Sequence, residues 1–125
     1  MPYRGLAVSV PVFVAKTADF TLTAEDDGKT FTTRGGSSGT ITFTLPAKNK
    51  VQAGWSARFF AVGAAAMKVA SNAADEMVTY NDATASSVLF AESGNIIGAG
   101  CSVEFDGTSF LVWLNTQEAV GLTVG

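Results

Sequence analysis

Histidine is missing from this chain, and cysteine occurs once, at Cys101. Without histidine, the chain has no Ser-His-Asp or Cys-His arrangement and lacks the commonest ligand of protein-bound metals. A single cysteine excludes an internal disulfide and a cysteine-based zinc site. The glycine, alanine and valine residues around Cys101 predict instead that it is a buried core residue.

Charged side chains are also scarce, at 15% of the residues, where a soluble domain usually has about a quarter. The formal net charge is −3 and the basic residues are scattered, so we expect no nucleic-acid partner. The longest apolar run, Phe59 to Met67, is far too short to cross a bilayer, so we expect no membrane partner. Pro11 interrupts the apolar N-terminal stretch, which argues against a signal peptide. A surface with so few charged side chains is typical of a protein that functions while bound to another molecule.

What the sequence does have is alternation of apolar and polar residues with a period of two. In residues 40–45, threonine alternates with Ile41, Phe43 and Leu45. Residues 101–105 and 110–114 alternate on both sides of an Asp-Gly turn, which predicts a hairpin. With 125 residues, the chain has the size of one domain, and its spacing of turn signals favours an all-β sandwich or barrel. The strands that we predict are 6–14, 19–23, 29–33, 40–45, 55–62, 67–70, 77–80, 87–90 or 96–97, 101–105 and 110–114.

A helix competes with strands only in residues 59–77, where alanine, the best helix former, is frequent. Ser71 or Asn72 could cap a short helical turn there, ahead of two acids. Everywhere else the alternation favours strands.

Two glycine-containing segments have the composition of ligand loops. Residues 25–28, Glu-Asp-Asp-Gly, could bind calcium, but the acids are consecutive and no glutamate follows at the EF-hand spacing, so we predict a turn. Residues 34–39, Arg-Gly-Gly-Ser-Ser-Gly, have the composition of a phosphate loop, but a strand pattern follows them instead of a Lys-Ser/Thr pair and a helix. We predict a hairpin loop there.

No catalytic group stands out elsewhere in the sequence. Aspartate and glutamate total 11, but the pattern brings no pair of them together for hydrolysis. Serine and lysine nucleophiles have no visible activator. We therefore predict that the chain is not an enzyme and has no catalytic residues, no cofactor and no metal site.

The aromatic residues allow two interpretations. Trp55 and Trp113, together with nine phenylalanines, could form a platform on which sugars stack. Trp113 lies on the opposite face of its strand from Phe110 and Val112, so it is either covered by a second sheet or exposed at an interface. Alternation places four phenylalanines in the core: Phe43, Phe59, Phe105 and Phe110.

The N-terminal residues 1–17 contain Pro2 and Pro11, which restrict them to an extended path and deny them full sheet pairing. Arginine and aromatic residues such as tyrosine are enriched at protein contacts, and both types occur here. The segment is either an edge strand or an arm that lies on a neighbouring subunit by β-augmentation. The contact residues that we predict are Tyr3, Arg4, Leu6, Val8 and Trp113.

Several short motifs follow one another along residues 18–116. An Asp-x-Gly-Lys turn at residues 26–29 is followed by a strand that ends in Leu45-Pro46, and Ala53-Gly54 opens another strand. The final hairpin carries Trp113 in its second strand. This order resembles a small β-domain of virion structural proteins of tailed bacteriophages. The resemblance implies a single-domain β-sandwich of jelly-roll character with extended termini: residues 1–17 as N-terminal arm or edge strand, 18–116 as the sandwich and 117–125 as the tail.

Among the virion structural proteins of tailed bacteriophages, a free-standing domain of this size is most similar to a capsid decoration or cement protein. The resemblance implies a structural protein that binds the outer surface of a bacteriophage capsid and joins adjacent major capsid subunits. It also implies a homo-oligomer, with a dimer favoured over a trimer, that is made in the host cytoplasm and resides on the virion. The alternative is a tail or tail-fibre associated module that recognises a host-surface glycan.

Overall fold

The computed structural model describes residues 12–79, 81–91, 96–115 and 122–125. In this part of the chain the regular elements are almost all strands, which confirms the all-β prediction. The helix considered for residues 59–77 is wrong, because the strand Ala66–Ala70 lies within that range and the strands Ser56–Phe60 and Met77–Thr79 overlap its two ends. In the described part of the chain, no helix is long and apolar enough to cross a membrane.

Twelve strands are present in the described residues: β1 (Phe13–Ala15), β2 (Phe20–Thr21), β3 (Thr30–Thr32), β4 (Thr40–Thr44), β5 (Ser56–Phe60), β6 (Ala66–Ala70), β7 (Met77–Thr79), β8 (Asp82–Ala85), β9 (Ser87–Phe90), β10 (Gly100–Phe105), β11 (Phe110–Leu114) and β12 (Leu122–Val124). Single 3₁₀ turns cover Ala24–Asp26 and Lys48–Lys50.

The strands form two mixed sheets. One has seven strands in the order β1-β3-β5-β10-β11-β7-β8, and the other has five in the order β12-β9-β6-β4-β2. From β1 to β6 the chain passes to the other sheet after every strand. Strands β1, β3 and β5 run parallel to one another, as do β2, β4 and β6. A jelly roll is built from antiparallel strands, so these pairs do not confirm the jelly-roll character that the resemblance implies.

The inner faces of the two sheets share one hydrophobic core. Phe43 of the five-stranded sheet packs between Phe31 and Phe59 of the seven-stranded sheet, with ring centroids 5.7 Å and 5.3 Å away. Because aromatic rings from both layers meet here, the contact joins the two sheets. The four phenylalanines that alternation places in the core are all buried: Phe43, Phe59, Phe105 and Phe110.

Local pairing follows the sequence pattern in the last hairpin and departs from it at the edges. The predicted hairpin is confirmed, because β10 and β11 pair antiparallel from Cys101–Leu114 to Phe105–Phe110. Strand β8, at one edge of the seven-stranded sheet, was not predicted, and β12 pairs with β9 inside the segment predicted as a tail. Of the predicted strand 6–14, residues 6–11 lie outside the described residues, and β1 forms the other edge of the seven-stranded sheet.

Candidate functional site

The acidic turn at residues 25–28 is held in place by its own hydrogen bonds. Thr23 caps its 3₁₀ turn, and the Thr23 backbone N–H donates to the Asp26 carboxylate at 2.9 Å. Lys29 Nζ donates to the other oxygen of that carboxylate at 2.8 Å. The Asp27 carboxylate accepts from the backbone N–H of Ser56, at the start of β5, at 2.9 Å. These carboxylates hold the connection between β2 and β3 against β5, as expected for a structural turn.

Asp26 is a buried acid whose charge is stabilised locally. Burial raises the pKa of its carboxyl, but hydrogen bonds from Lys29 and Thr23 and the positive charge of Lys29 outweigh burial, so the pKa lies below its ordinary value. A carboxylate whose pKa is lower in the folded state contributes stability above its unfolded pKa of about 3.9. That contribution is lost as the pH falls through the folded pKa.

We expect Asp26→Asn to lower the free energy of unfolding by about 1–2 kcal/mol near pH 7, where the charged carboxylate is fully paired. The loss should shrink at an acidic pH below the folded pKa, because the wild-type carboxyl is then protonated as well. Urea unfolding at the two pH values measures both losses. Glu25→Gln, in the same turn but exposed, is the matched control and should change little at either pH. An equal loss for Asp26→Asn at both pH values would contradict the stabilising role of the charge.

The glycine-rich segment 34–39 connects β3 to β4 and therefore crosses between the sheets, so the hairpin predicted there is wrong. Just before it, the buried Thr33 accepts hydrogen bonds at its Oγ1 from the backbone N–H groups of Val62 at 3.0 Å and Gly63 at 3.3 Å. The Gly36 N–H donates to the Thr33 carbonyl, and the Gly36 carbonyl accepts from Ala65 N–H. These backbone groups are used within the fold, which gives the loop a structural role.

Two further candidate groups belong to the core. Cys101 is buried as predicted, and burial raises the pKa of its thiol to about 12, so the thiol is protonated at neutral pH and unsuited to nucleophilic attack. Trp55 is 4% exposed, and its ring N–H donates to the Ala24 carbonyl at 3.3 Å, so it is not part of a sugar platform.

Among the residues that the structure describes, no group of three or more cysteine, aspartate and glutamate side chains is placed to hold a metal ion.

The outer face of the seven-stranded sheet carries a row of side chains in register. Phe13 of β1 lies opposite Thr30 of β3, and Thr30 lies opposite Arg58 of β5. Arg58 lies opposite Ser102 of β10, which in turn lies opposite Trp113 of β11. Alternate residues of a strand face opposite sides, and the neighbours of these residues along β5, β10 and β11 are buried, except Leu114, which is half-buried. The row therefore faces away from the core.

This row lines an open groove of about 770 Å³, which we call the outer groove. Three aromatic side chains on its walls are unusually open to solvent: Phe13 is 70% exposed, Phe60 is 44% exposed and Trp113 is 53% exposed. Its charged lining residues are Arg34 and Arg58. The groove therefore combines exposed aromatic rings with positive charge on one sheet face.

The structure brings together a different set of residues from the one that the sequence predicts. Trp113 is exposed on the outer face, so the alternative in which a second sheet covers it is wrong. Sequence reasoning missed Phe13, Arg58 and Phe60 as surface residues. A signal for Phe60 was present, because Phe59 and Phe60 are adjacent in one strand and must face opposite sides. The other predicted contact residues lie outside the described residues: Tyr3, Arg4, Leu6 and Val8.

The outer groove is lined by groups that can bind a ligand. No carboxylate among the described residues lines it, and its one thiol is protonated at neutral pH. Its rings can bury apolar surface, and its guanidinium groups can pair with anions. Comparisons of this chain with protein-family models, with curated proteins and with solved structures find no match.

Proposed function

We propose that this chain is a structural virion protein that binds the outer surface of a bacteriophage capsid and cements adjacent major capsid subunits. The observation that carries the proposal is the outer groove, where Phe13, Phe60 and Trp113 expose large rings on one sheet face. The resemblance of residues 18–116 to a virion β-domain suggests that the protein resides on the virion. The outer groove offers a surface through which it can dock on the capsid.

Exposed rings on a rigid sheet are well suited to docking. Phe60 and Trp113 project from strands that pair with a neighbour on each side, so little ordering is needed when they bind. Burial of apolar surface contributes about 25 cal/mol per Å², and tryptophan is among the residues that dominate binding energies. A repeating shell offers many equivalent sites, so a protein that bridges two subunits gains avidity.

The finer architecture belongs to the same proposal. Two sheets around one core are what a β-sandwich requires, and residues 18–116 would form its body. The antiparallel groups β5-β10-β11 and β6-β9-β12 are compatible with jelly-roll character. We also favour a homo-oligomer, a dimer before a trimer, because additional copies multiply the attachments to the shell.

Replacing Trp113 by alanine tests the docking face. We expect Trp113→Ala to weaken binding to expanded capsids that lack this protein by about 30-fold or more, the usual effect of removing a central tryptophan from an interface. Phe60→Ala should act in the same direction. Co-sedimentation of the purified protein with the capsids measures the affinity, and circular dichroism verifies that each variant is folded.

Ile97→Ala provides the matched control, because Ile97 is 69% exposed but does not line the outer groove. It should bind capsids within about threefold of the wild-type chain, since isolated surface residues contribute little. Wild-type affinity in a folded Trp113→Ala, Phe60→Ala double variant would contradict docking through this face.

The exposed ring of Trp113 also supports the second candidate, a tail or tail-fibre associated module that recognises a host-surface glycan, because an amphipathic ring can stack on a sugar. Copy number separates the two. Gel densitometry of purified virions should give on the order of hundreds of copies for a capsid decoration protein and small multiples of the tail symmetry for a tail module. Binding on a glycan array without capsid binding would favour the tail.

A further inference from the structure

The outer groove is positively charged in a chain whose formal net charge is −3. Arg34 and Arg58 line it, whereas Glu104, on the same sheet face two residues along β10 from Ser102, lies outside it. The ion pair found among the described residues joins Lys29 to Asp26, so no described acid neutralises either arginine. Two guanidinium groups in a partly apolar groove favour a ligand that brings a carboxylate.

The row across the groove sets the size of that ligand. Phe13 and Trp113 are four strand intervals apart, and Arg58 stands midway between them. Neighbouring strands lie about 4.8 Å apart, so the row spans about 19 Å, with about 10 Å from the position of Arg58 to that of either ring. An extended polypeptide rises about 3.3 Å per residue, so about six residues cover the row.

The surface of the groove suits a polypeptide better than a sugar chain. A ligand rich in hydroxyl groups needs side chains that are free to form hydrogen bonds. Asn115 uses its amide within the fold, because its Oδ1 accepts from Gly100 N–H at 2.8 Å and its Nδ2 donates to the Gly98 carbonyl at 2.9 Å. Thr30 is only 7% exposed. Thr32 and Ser102, the other hydroxyl residues of the lining, are half-buried, whereas Arg34 and Arg58 are exposed. The exposed rings and arginines favour apolar side chains on either side of a carboxylate.

We infer that the outer groove binds an acidic peptide segment of about six residues, with a carboxylate paired to Arg58 and apolar side chains packed on Phe13 and Trp113. Arg34 provides a second position for negative charge. The inference rests on the proposed function, because it names the part of the partner protein that the docking face takes. The rings contribute affinity, and the ion pair selects the partner and its register.

A displayed library of random peptides of about nine residues, long enough to cover the row, tests the inference with the full chain as target. The wild-type chain should enrich peptides with aspartate or glutamate flanked by apolar residues. Arg58→Glu should shift the enrichment to lysine and arginine. Lys68→Glu makes the same charge change on the outer face of the other sheet and should keep the wild-type preference. By fluorescence anisotropy, a selected peptide should bind Arg58→Glu about tenfold or more weakly and Lys68→Glu within about threefold.

Enrichment of peptides without an acid, or no enrichment, would overturn the inference. Binding of the wild-type chain to carboxylated glycans and to no peptide would overturn it as well. Capsid co-sedimentation distinguishes this failure from failure of the proposed function. An Arg58→Glu variant that binds capsids like the wild-type chain refutes the peptide inference and leaves the proposed function standing. A wild-type chain that selects acidic peptides but binds no capsid refutes the virion assignment alone.

Discussion

Replacing Phe31 by alanine is expected to lower the free energy of unfolding by about 3–5 kcal/mol, the usual cost of removing a buried ring. Phe31 is 0% exposed, and its ring centroid lies 5.5 Å from that of Phe20, 5.7 Å from that of Phe43 and 5.8 Å from that of Phe59. The cavity would open where the two sheets meet, and its walls are strands whose pairing limits collapse. A domain is stable by only about 5–15 kcal/mol in total, so this single change removes a large part of the stability.

Urea unfolding followed by circular dichroism measures this loss. Phe60→Ala is the matched control, because it removes the same side chain from the neighbouring strand at a position 44% exposed. It should cost less than about 1 kcal/mol, as surface substitutions usually do. Equal losses for the two variants would mean that the rings around Phe31 do not form the core described above.

Replacing Gly63 by alanine is expected to destabilise the fold by about 3 kcal/mol, near the upper end of the usual cost of overpacking. A Cβ at Gly63 would overlap the carbonyl oxygen of Gly36 and would lie 2.9 Å from the carbonyl oxygen of Thr33. Backbone atoms of the loop would have to move, because no flexible side chain end is there to yield. The hydrogen bonds from Val62 and Gly63 to Thr33 Oγ1 would be disturbed by the same movement.

Gly39→Ala separates crowding from backbone strain. Gly39 lies in the connection between β3 and β4 that faces Gly63, its φ is +73°, and nothing lies within 4 Å of a Cβ built there. Its substitution should therefore cost only the strain of a left-handed residue, about 1–2 kcal/mol. The two variants are compared by urea unfolding. A Gly63→Ala variant as stable as the wild-type chain would show that the two loops are not in close contact.

The strands and the core were accessible from the sequence because they depend on local alternation. Phe105 and Phe110 flank a short turn and pair as their pattern predicts. The parallel pairs β1-β3-β5 were not accessible, because alternation fixes which face a residue occupies and says nothing about which strand lies beside it. Strand β8 reads Asp-Ala-Thr-Ala, which has no large apolar residue to mark it, and its place at a sheet edge explains why it needs none.

The candidate site was only partly accessible for the same reason. Trp113 was singled out, because it stands on the opposite strand face from core residues. The position of Arg58 between Phe13 and Trp113 depends on the register of three strands that are not consecutive in the sequence and of the β10–β11 hairpin. The acidic turn was predicted as a turn, but the burial of Asp26 depends on its packing in the folded chain.

From β1 to β6 the chain passes between the sheets after every strand, which has a consequence for how the domain can change in size. Strands β1 with β2, β3 with β4, and β5 with β6 make three stacked rungs, each with one strand in either layer. As in a solenoid, a rung bonds mainly to the rungs beside it, so one can be added at the β1–β2 end without rearranging the others. The row across the outer face takes one residue from each of five neighbouring strands, and β1 lies at its end. An added rung would therefore widen the body and lengthen the footprint of the bound segment in a single step.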